Sequence, residues 1–324
     1  MTAELAGVGG PAAAELAPRR RRLLLMIGGR LLVGLVSVWG VATIVFVVTR
    51  LTGDPVRLMS PPGAPQEQLN ATAHFFGLDR PLIVQYAGFL WGLSQLDFGE
   101  SYYWRQNAFH VVIGHLGPTL LLALASFLVT LALALPAALL AAHREGGLLD
   151  RALTGLASLG IAVPQFWLGP LLILTFAVSL RLFPASGNSD LPSYVLPVAG
   201  LSSVQIAILF ILARAAFARE LRASYVDEAR AKGAGARRLM LAHVFPNAGL
   251  HIMTLAGLIL ANLIAGDIII ETVFAWPGIG QLFISSVQEF DFPVIQAITL
   301  IYSTVFVGIL ILVDGLYRVV DPRA

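Results

Sequence analysis

The hydrophobic positions of this 324-residue chain lie in long runs rather than in the alternating or three-to-four-residue patterns of soluble domains. Six runs reach the ~20 apolar residues that a helix needs to cross a bilayer. They cover residues 31–49, 118–142, 153–180, 195–213, 248–270 and 294–313. Pro136, Pro164 and Pro170 predict kinks in the second and third runs. The pattern therefore predicts an all-α integral membrane fold with six transmembrane helices.

The composition supports a membrane protein and excludes several other classes. Hydrophobic residues make up 57% of the chain and charged residues 12%, about half the ~25% that is usual in soluble domains. The mean hydropathy is +0.80. These values exclude a disordered, collagenous or coiled-coil chain. The chain has no cysteine, which excludes a disulfide scaffold and a cysteine-ligated metal site.

The basic residues predict the orientation of the helices. Of the 21 lysines and arginines, 16 fall on the side of the amino terminus and five on the other side. Because positive charge concentrates on the cytoplasmic side, both termini are predicted to be cytoplasmic. The first run is too long for a signal peptide and lacks a small-residue cleavage site, so we interpret it as an uncleaved span. Residues 1–22 are predicted to be a disordered tail and residues 23–324 a single transmembrane domain.

The segment at about residues 50–115, predicted to lie outside, is longer than a connection requires. Five of the aromatic residues in its second half are predicted to form a cluster: Trp91, Phe98, Tyr102, Tyr103 and Trp104. Aromatic rings of this kind favour the headgroup level of a bilayer, so interfacial packing is one interpretation. A docking surface for an external partner is the other.

The inner segment at about residues 219–247 carries the most specific pattern. Leu221, Tyr225 and Ala229 recur every four residues and predict one stripe of a short helix, which Gly233 and Gly235 can end. Arg230 and Lys232 lie among small residues that let another protein approach closely. One interpretation of the segment is a helix that binds a cytosolic partner. The other is a loop that is basic only because cytoplasmic loops carry an excess of positive charge.

The spacing of this segment resembles the signature of ATP-binding-cassette (ABC) importer permeases, E-A-A-x-x-x-G followed after nine residues by I-x-L-P. Asp227-Glu228-Ala229 stands at the E-A-A position and Gly233 at the glycine. His243-Val244-Phe245-Pro246 stands at the I-x-L-P position. The sequence departs from the signature in having Asp227 for Glu and Glu228 for Ala. The variant is similar to the dipeptide/oligopeptide/nickel branch of that family.

Further segments carry the same resemblance over nearly the whole chain after residue 23. They are T-G-D-P at 52–55, D-F-G-E-S at 97–101, P-Q-F-W-L-G at 164–169, E-T-V-F-A-W-P-G-I-G at 271–280 and D-P-R at 321–323. Each segment alone is weak evidence for the resemblance, but together they occur in the expected order and at the expected positions relative to the predicted spans.

The resemblance implies a type I importer permease in a bacterial inner membrane, translocating short peptides, or alternatively nickel or opines. It implies three kinds of partner: two ABC ATPase subunits, a second and related permease chain, and an extracytoplasmic substrate-binding protein. The residues that it assigns to the coupling loop are Tyr225, Asp227, Glu228, Ala229, Arg230, Ala231, Lys232, Gly233, His243 and Pro246.

The chain lacks the residues for ATP hydrolysis. Its only lysine, Lys232, precedes a glycine and cannot belong to a phosphate-binding G-x-x-x-x-G-K-[ST] loop. The six histidines have no metal-ligand spacing. We therefore expect no catalytic residue, cofactor, metal site or nucleic-acid partner, and ATP hydrolysis by separate subunits.

Asp267 and Glu271 lie four residues apart near the outer end of the fifth run. Carboxylates within a membrane usually face a cavity or a partner, so Asp267 is a candidate to attract a cationic group of the solute. The alternative is that both lie at the interface, capped by water or by Arg181.

Two rival functions remain open at the level of the sequence. One is a proton-coupled secondary transporter that uses these two carboxylates, and the other is a membrane scaffold without transport.

Overall fold

The computed structural model describes residues 12–51, 56, 63–75, 77–264 and 268–320, and these residues form helices joined by short loops. The helices are α1 (Ala12–Leu51), α2 (Gln66–Phe75), α3 (Leu82–Ser94), α4 (Ala108–His143), α5 (Leu148–Ala162), α6 (Gln165–Leu172), α7 (Pro192–Leu221), α8 (Ser224–Ala231), α9 (Phe245–Ile264), α10 (Ile268–Val273), α11 (Ile279–Gln288) and α12 (Phe292–Val320). A π-helical segment, Ile173–Ser179, extends α6. A turn at Ala236–Arg238 and a second π-helical segment, Leu239–Val244, lead into α9.

The predicted all-α membrane fold is confirmed by these helices. In the described part of the chain, four unbroken helices are long and apolar enough to cross a membrane: Gly28–Leu51, Ala108–His143, Pro192–Leu221 and Phe292–Val313. Two bent pairs bring the number to six if each pair counts as one span. The number six and the orientation stay predictions.

The third predicted span differs from a continuous helix. α5 and the helix that starts at Gln165 meet at an angle of 99°. The break falls at Pro164, because a proline has no backbone N–H and disfavours a helical conformation in the residue before it. Val163 is extended accordingly, with φ −83° and ψ 118°. Pro136 has no such effect, since α4 continues through it.

The amino-terminal segment also differs from the prediction. α1 begins at Ala12, so residues 12–22 of the predicted disordered tail are helical. Alanine and leucine are strong helix formers, and the helix of the first span continues backwards through them. Residues 1–11 lie outside the described part, as do the T-G-D-P and D-P-R segments.

Small side chains let the central helices approach closely. Such close packing is usual in membranes, because the hydrophobic effect does not drive helices together when they are surrounded by lipid. α4 and α7 pack along buried alanines, among them Ala134, Ala138, Ala213 and Ala216. α9 crosses α12 at Gly257, where an added Cβ would meet Val313 at 2.2 Å.

The buried apolar side chains form two clusters. The larger joins α4, α7, α8 and α9 and contains Leu209, Phe217 and Val226. The smaller lies where α11 and α12 meet the start of α4. Large apolar side chains of α1, such as Leu35 and Trp39, remain exposed in the chain alone and form a surface suited to lipid. The candidate functional segments lie at the two ends of this bundle.

Candidate functional site

Helix α8 lies directly after α7 and is fixed by its apolar face. Val226 is fully buried in the larger cluster, while Leu221, Tyr225 and Ala229 pack half-buried against it. The predicted stripe with four-residue spacing therefore forms the buried face of α8 and of the end of α7. The opposite face, with Asp227 and Glu228, is exposed.

Gly233 ends α8 in a left-handed conformation, with φ +83°. The Ala234 amide donates to the Ala229 carbonyl at 3.0 Å, and the Gly233 amide donates to the Arg230 carbonyl at 2.9 Å. This pair of bonds is the Schellman cap, which needs a residue that adopts positive φ. The predicted helix end at Gly233 is therefore present, and it sets the direction of the following chain.

The turn after Gly233 folds back and forms a cleft of about 400 Å³ between α8 and the segment 236–244. Eight residues line it: Tyr225, Glu228, Ala229, Lys232, Gly233, Ala234, Arg238 and His243. Six of the ten residues assigned to the coupling loop are thus brought together. Asp227, Arg230 and Ala231 point away on the exposed side, and exposed Pro246 does not line the cleft.

Charges on α8 are paired along the helix. Lys232 Nζ lies 2.6 Å from Glu228 Oε1, and Arg230 Nη1 lies 3.8 Å from Asp227 Oδ1. Exposed pairs of this kind contribute little stability, so they leave the charges available to a partner. Among the described residues Arg238 makes no ion pair, and the cleft therefore has one unneutralised cation at its rim.

Tyr225 joins α8 to α7. Its hydroxyl donates to Glu220 Oε2 at 2.8 Å. Burial, followed by the neighbouring Glu220 carboxylate, raises the pKa of Tyr225 to about 12. The phenol therefore stays protonated and keeps its donor at physiological pH.

A buried ion pair connects α7 to α5, and it was not identified from the sequence. Asp150, with 4% of its surface exposed, accepts from Arg214 Nε at 2.8 Å and from Arg214 Nη2 at 2.6 Å. The Gly146 amide donates to Asp150 Oδ2 at 2.8 Å. The signal was available, since Arg214 directly follows the fourth apolar run and a charge at that depth usually has a partner.

A second ion pair extends this connection towards α8. Arg222 Nη2 lies 2.5 Å from Glu145 Oε1, and Arg214 Nη2 lies 3.8 Å from the same oxygen. Arg222 is the residue that caps α7, two positions before α8 begins. The loop between α4 and α5 is therefore tied to the last part of α7, at Arg214 and Arg222.

The segment from Ala236 continues through Pro246 into α9. The π-helical segment Leu239–Val244 lies just before the proline. Proline cannot donate the helical hydrogen bond, and a π-helical turn adjusts the helix at such a position. His243 belongs to this segment and faces the cleft.

Glu271 is buried near the opposite end of the bundle, with 2% of its surface exposed. It accepts from Thr119 Oγ1 at 2.7 Å, from the Gly280 amide at 2.6 Å and from the Gln281 amide at 3.3 Å. A carboxylate suits these amides because they are the free donors at the start of α11. Asp267, its predicted companion, lies outside the described residues.

The five aromatic residues predicted to cluster in the segment at residues 50–115 are not one cluster. Phe98 is buried, whereas Trp91, Tyr103 and Trp104 are exposed. Tyr103 and Trp104 contact each other edge to face, with ring centroids 5.4 Å apart. The remaining member, Tyr102, is half-buried and lines another cleft.

Comparison with known proteins adds independent information. The sequence model of a family described as "binding-protein-dependent transport system inner membrane component" matches residues 134–324. The chain is 32% identical over 331 residues to the di/tripeptide transport system permease protein DppB of Pseudomonas aeruginosa, covering 93% of this chain and 98% of the relative. It is 35% identical over 293 residues to the glutathione transport system permease protein GsiC of Escherichia coli, covering 90% and 96%.

A solved structure shares the fold. A chain of the MetNI methionine ABC transporter, determined in inward-facing conformations, matches with a TM-score of 0.54 and 16% identity. The match covers 65% of this chain and 96% of that one. At this identity the likeness concerns the arrangement of helices alone.

Proposed function

This chain belongs to the family of binding-protein-dependent transport system inner membrane components, and from that premise we propose that it carries short peptides across the inner membrane. It is a multi-pass membrane subunit of an ABC importer, whose ATP is hydrolysed by other subunits. Two relatives bear the names of di/tripeptide and glutathione permeases, and both solutes are small peptides. Nickel and opines are the alternative cargoes.

The observation that carries the proposal is the exposed and rigidly mounted helix α8. Its buried face is fixed by Val226. Its end is fixed by the cap at Gly233, and its start is fixed by the Tyr225–Glu220 hydrogen bond. The exposed face carries paired charges beside small Ala231. A helix mounted in this way passes a displacement to α7 instead of absorbing it.

We assign α8 and the cleft behind it to the contact with an ATPase subunit. Closure of two ATPases on ATP would move α8, and with it α7, so that the helices rock between inward and outward access. A second, related permease chain completes the pathway, because one bundle of this size supplies half of it. The excess of basic residues on one side supports cytoplasmic termini and a cytoplasmic α8.

The pathway residues remain a separate proposal. Asp267 is proposed to attract cationic solutes, so Asp267→Asn should impair the uptake of cationic peptides more than that of neutral ones. Equal loss for both would contradict a pathway role. In this conformation the Glu271 carboxylate accepts hydrogen bonds from Thr119 and from two amides of α11. These bonds favour a stabilising role for Glu271 over proton coupling.

The decisive experiment is uptake by the reconstituted importer. The chain is inserted into liposomes with its partner permease, two ATPases and the binding protein, and labelled di- and tripeptides are offered with ATP or with a proton gradient. Uptake that requires ATP and the binding protein supports the proposal. Uptake that survives without ATP and follows the proton gradient would instead establish a secondary transporter.

Topology and ATPase contact are tested together with single cysteines, because the natural chain contains none. Ala231→Cys on α8 should cross-link to an ATPase subunit and stay protected from an impermeant maleimide outside the cell. Glu67→Cys on exposed α2 is the matched control and should react from outside. The reverse labelling pattern would place α8 on the outer face and contradict the assignment.

A further inference from the structure

A small cleft lies between the first outer segment and α11, at the end of the bundle opposite α8. It has a volume of about 150 Å³. Its lining consists of Tyr103, Trp104, Ser285, Ser286, Glu289 and Asp291. Neither the coupling assignment nor the proposed pathway uses it.

The cleft is held in shape by a buried carboxylate. Asp291 is fully buried and accepts from the Ser101 hydroxyl, from the Tyr102 amide at 3.1 Å and from the Tyr103 amide at 3.3 Å. Ser101 Oγ in turn accepts from the Trp104 amide at 2.9 Å. The backbone that carries the two aromatic rings is therefore fixed to the junction of α11 and α12.

Polar groups in the cleft are left without partners. Ser286, with 3% of its surface exposed, has a buried hydroxyl that makes no hydrogen bond. Glu289 caps the end of α11, is exposed, and makes no ion pair with any described residue. A buried hydroxyl without a partner is unusual and suggests that the partner is supplied from elsewhere.

Each group in the cleft favours a cation. Glu289 supplies a negative charge, and the end of α11 adds the negative pole of the helix dipole. The exposed rings of Tyr103 (58%) and Trp104 (43%) offer faces that attract an ammonium or guanidinium group. The hydroxyl of Ser286, with less than 1 Å² exposed, adds a polar group to the wall of the cleft.

We propose that this cleft receives a lysine or arginine side chain of the substrate-binding protein when that protein docks on the outer face. The proposal rests on the proposed function, which places the cleft outside the cell membrane and supplies the partner. The volume supports a side chain over a free solute, since pockets for small molecules usually measure about 300 Å³ or more.

The experiment measures binding of the cognate binding protein to the assembled importer in nanodiscs. Glu289→Gln and, separately, Trp104→Leu should each raise the dissociation constant about tenfold, which corresponds to about 1.4 kcal/mol. The concentration of binding protein that gives half-maximal uptake should rise equally. The effect of Glu289→Gln should shrink at high salt, because the charge is exposed.

Glu67→Gln is the matched control, since Glu67 is an exposed carboxylate of α2 on the same proposed face. It should leave the dissociation constant unchanged. If Glu289→Gln and Trp104→Leu behave like this control, the proposal is overturned. Failure of the wild-type importer to take up any peptide with ATP would instead contradict the proposed function.

Charge reversal identifies the partner side chain. Glu289→Lys should weaken binding further, and one Lys→Glu or Arg→Glu variant of the binding protein should restore it. A lipid ammonium headgroup is the competing occupant. If Glu289→Gln alters only the dependence on phosphatidylethanolamine in the nanodisc, and not the affinity for the binding protein, the cleft belongs to lipid and the proposal fails.

Discussion

The cap at Gly233 allows the coupling assignment to be tested by one methyl group. Gly233 has φ +83°, and a Cβ built there would meet no atom within 4 Å. Gly233→Ala therefore creates no clash, and its whole effect comes from holding a non-glycine residue in the left-handed region. That conformation costs roughly 1–2 kcal/mol for such a residue. The capped loop should then be disfavoured by about five- to thirtyfold.

Gly235→Ala is the matched control. Gly235 lies two residues further on, has φ −66° and ψ 155°, and likewise has open space around it. Alanine adopts this conformation without strain. If the capped loop is what the ATPase binds, Gly233→Ala should weaken ATPase binding in a pull-down titration by about the same factor, while Gly235→Ala binds normally. Gly233→Asn should fall between them, because asparagine tolerates positive φ better.

Peptide uptake should follow the same order as ATPase binding at limiting ATPase. The amount of each variant in the membrane is measured first, so that loss of insertion is not mistaken for loss of coupling. Equal behaviour of Gly233→Ala and Gly235→Ala would refute the reasoning, since only one of the two changes strains the cap.

Three further outcomes are expected. Asp150→Asn should lower the free energy of unfolding of the purified chain by about 1.5–3 kcal/mol, because it weakens the two hydrogen bonds to half-buried Arg214 and leaves that guanidinium only the 3.8 Å contact with the Glu145 carboxylate. The double variant Asp150→Leu/Arg214→Met should recover part of the loss. Purely additive losses would contradict a direct pair. Glu271→Gln should lower stability by about 3 kcal/mol in the same assay, through weaker hydrogen bonds at the start of α11. Uptake lost with unchanged stability would point to a proton carrier instead. Tyr225→Phe should cost about 1 kcal/mol, since it removes the hydrogen bond to Glu220. Because the pKa of Tyr225 is raised from 10.0 to about 12, this difference should be constant between about pH 7 and pH 9 and vanish only as pH rises through about 12.

Sequence reasoning predicts the local features of this chain well, because they depend on neighbours in the sequence. The apolar runs give the helices, and the four-residue spacing of Tyr225 and Ala229 gives the inner face of α8. Gly233 ends α8 because glycine alone adopts positive φ without penalty. These features need no knowledge of the tertiary structure.

The features that sequence reasoning missed are long-range polar contacts. Asp150 and Arg214 are 64 residues apart, and Thr119 and Glu271 are 152 residues apart. No periodicity connects such positions. Only the general cost of a buried charge indicates that a partner exists, and it does not say which residue it is. The same limit applies to the junction that Asp291 makes with residues 101–103.

The positions of these contacts indicate where the bundle can bend. At the end of the bundle that carries α8, Arg214 and Arg222 tie α7 to the α4–α5 loop, and Tyr225 ties α7 to α8, so these elements move together. At the other end, Glu271 fixes α11 to α4, and its hydrogen bonds are buried. A displacement of α8 must then be taken up in parts of the bundle that these contacts do not fix.

Two irregular stretches lie outside these fixed contacts. One is the 99° break at Pro164, followed by the π-helical segment Ile173–Ser179, and the other is the π-helical segment Leu239–Val244. π-Helical turns weaken the regular hydrogen-bond ladder, and they occur frequently at functional sites. Motion driven from α8 should therefore concentrate at these stretches, whereas α4, which continues unbroken through Pro136, should move as one rod.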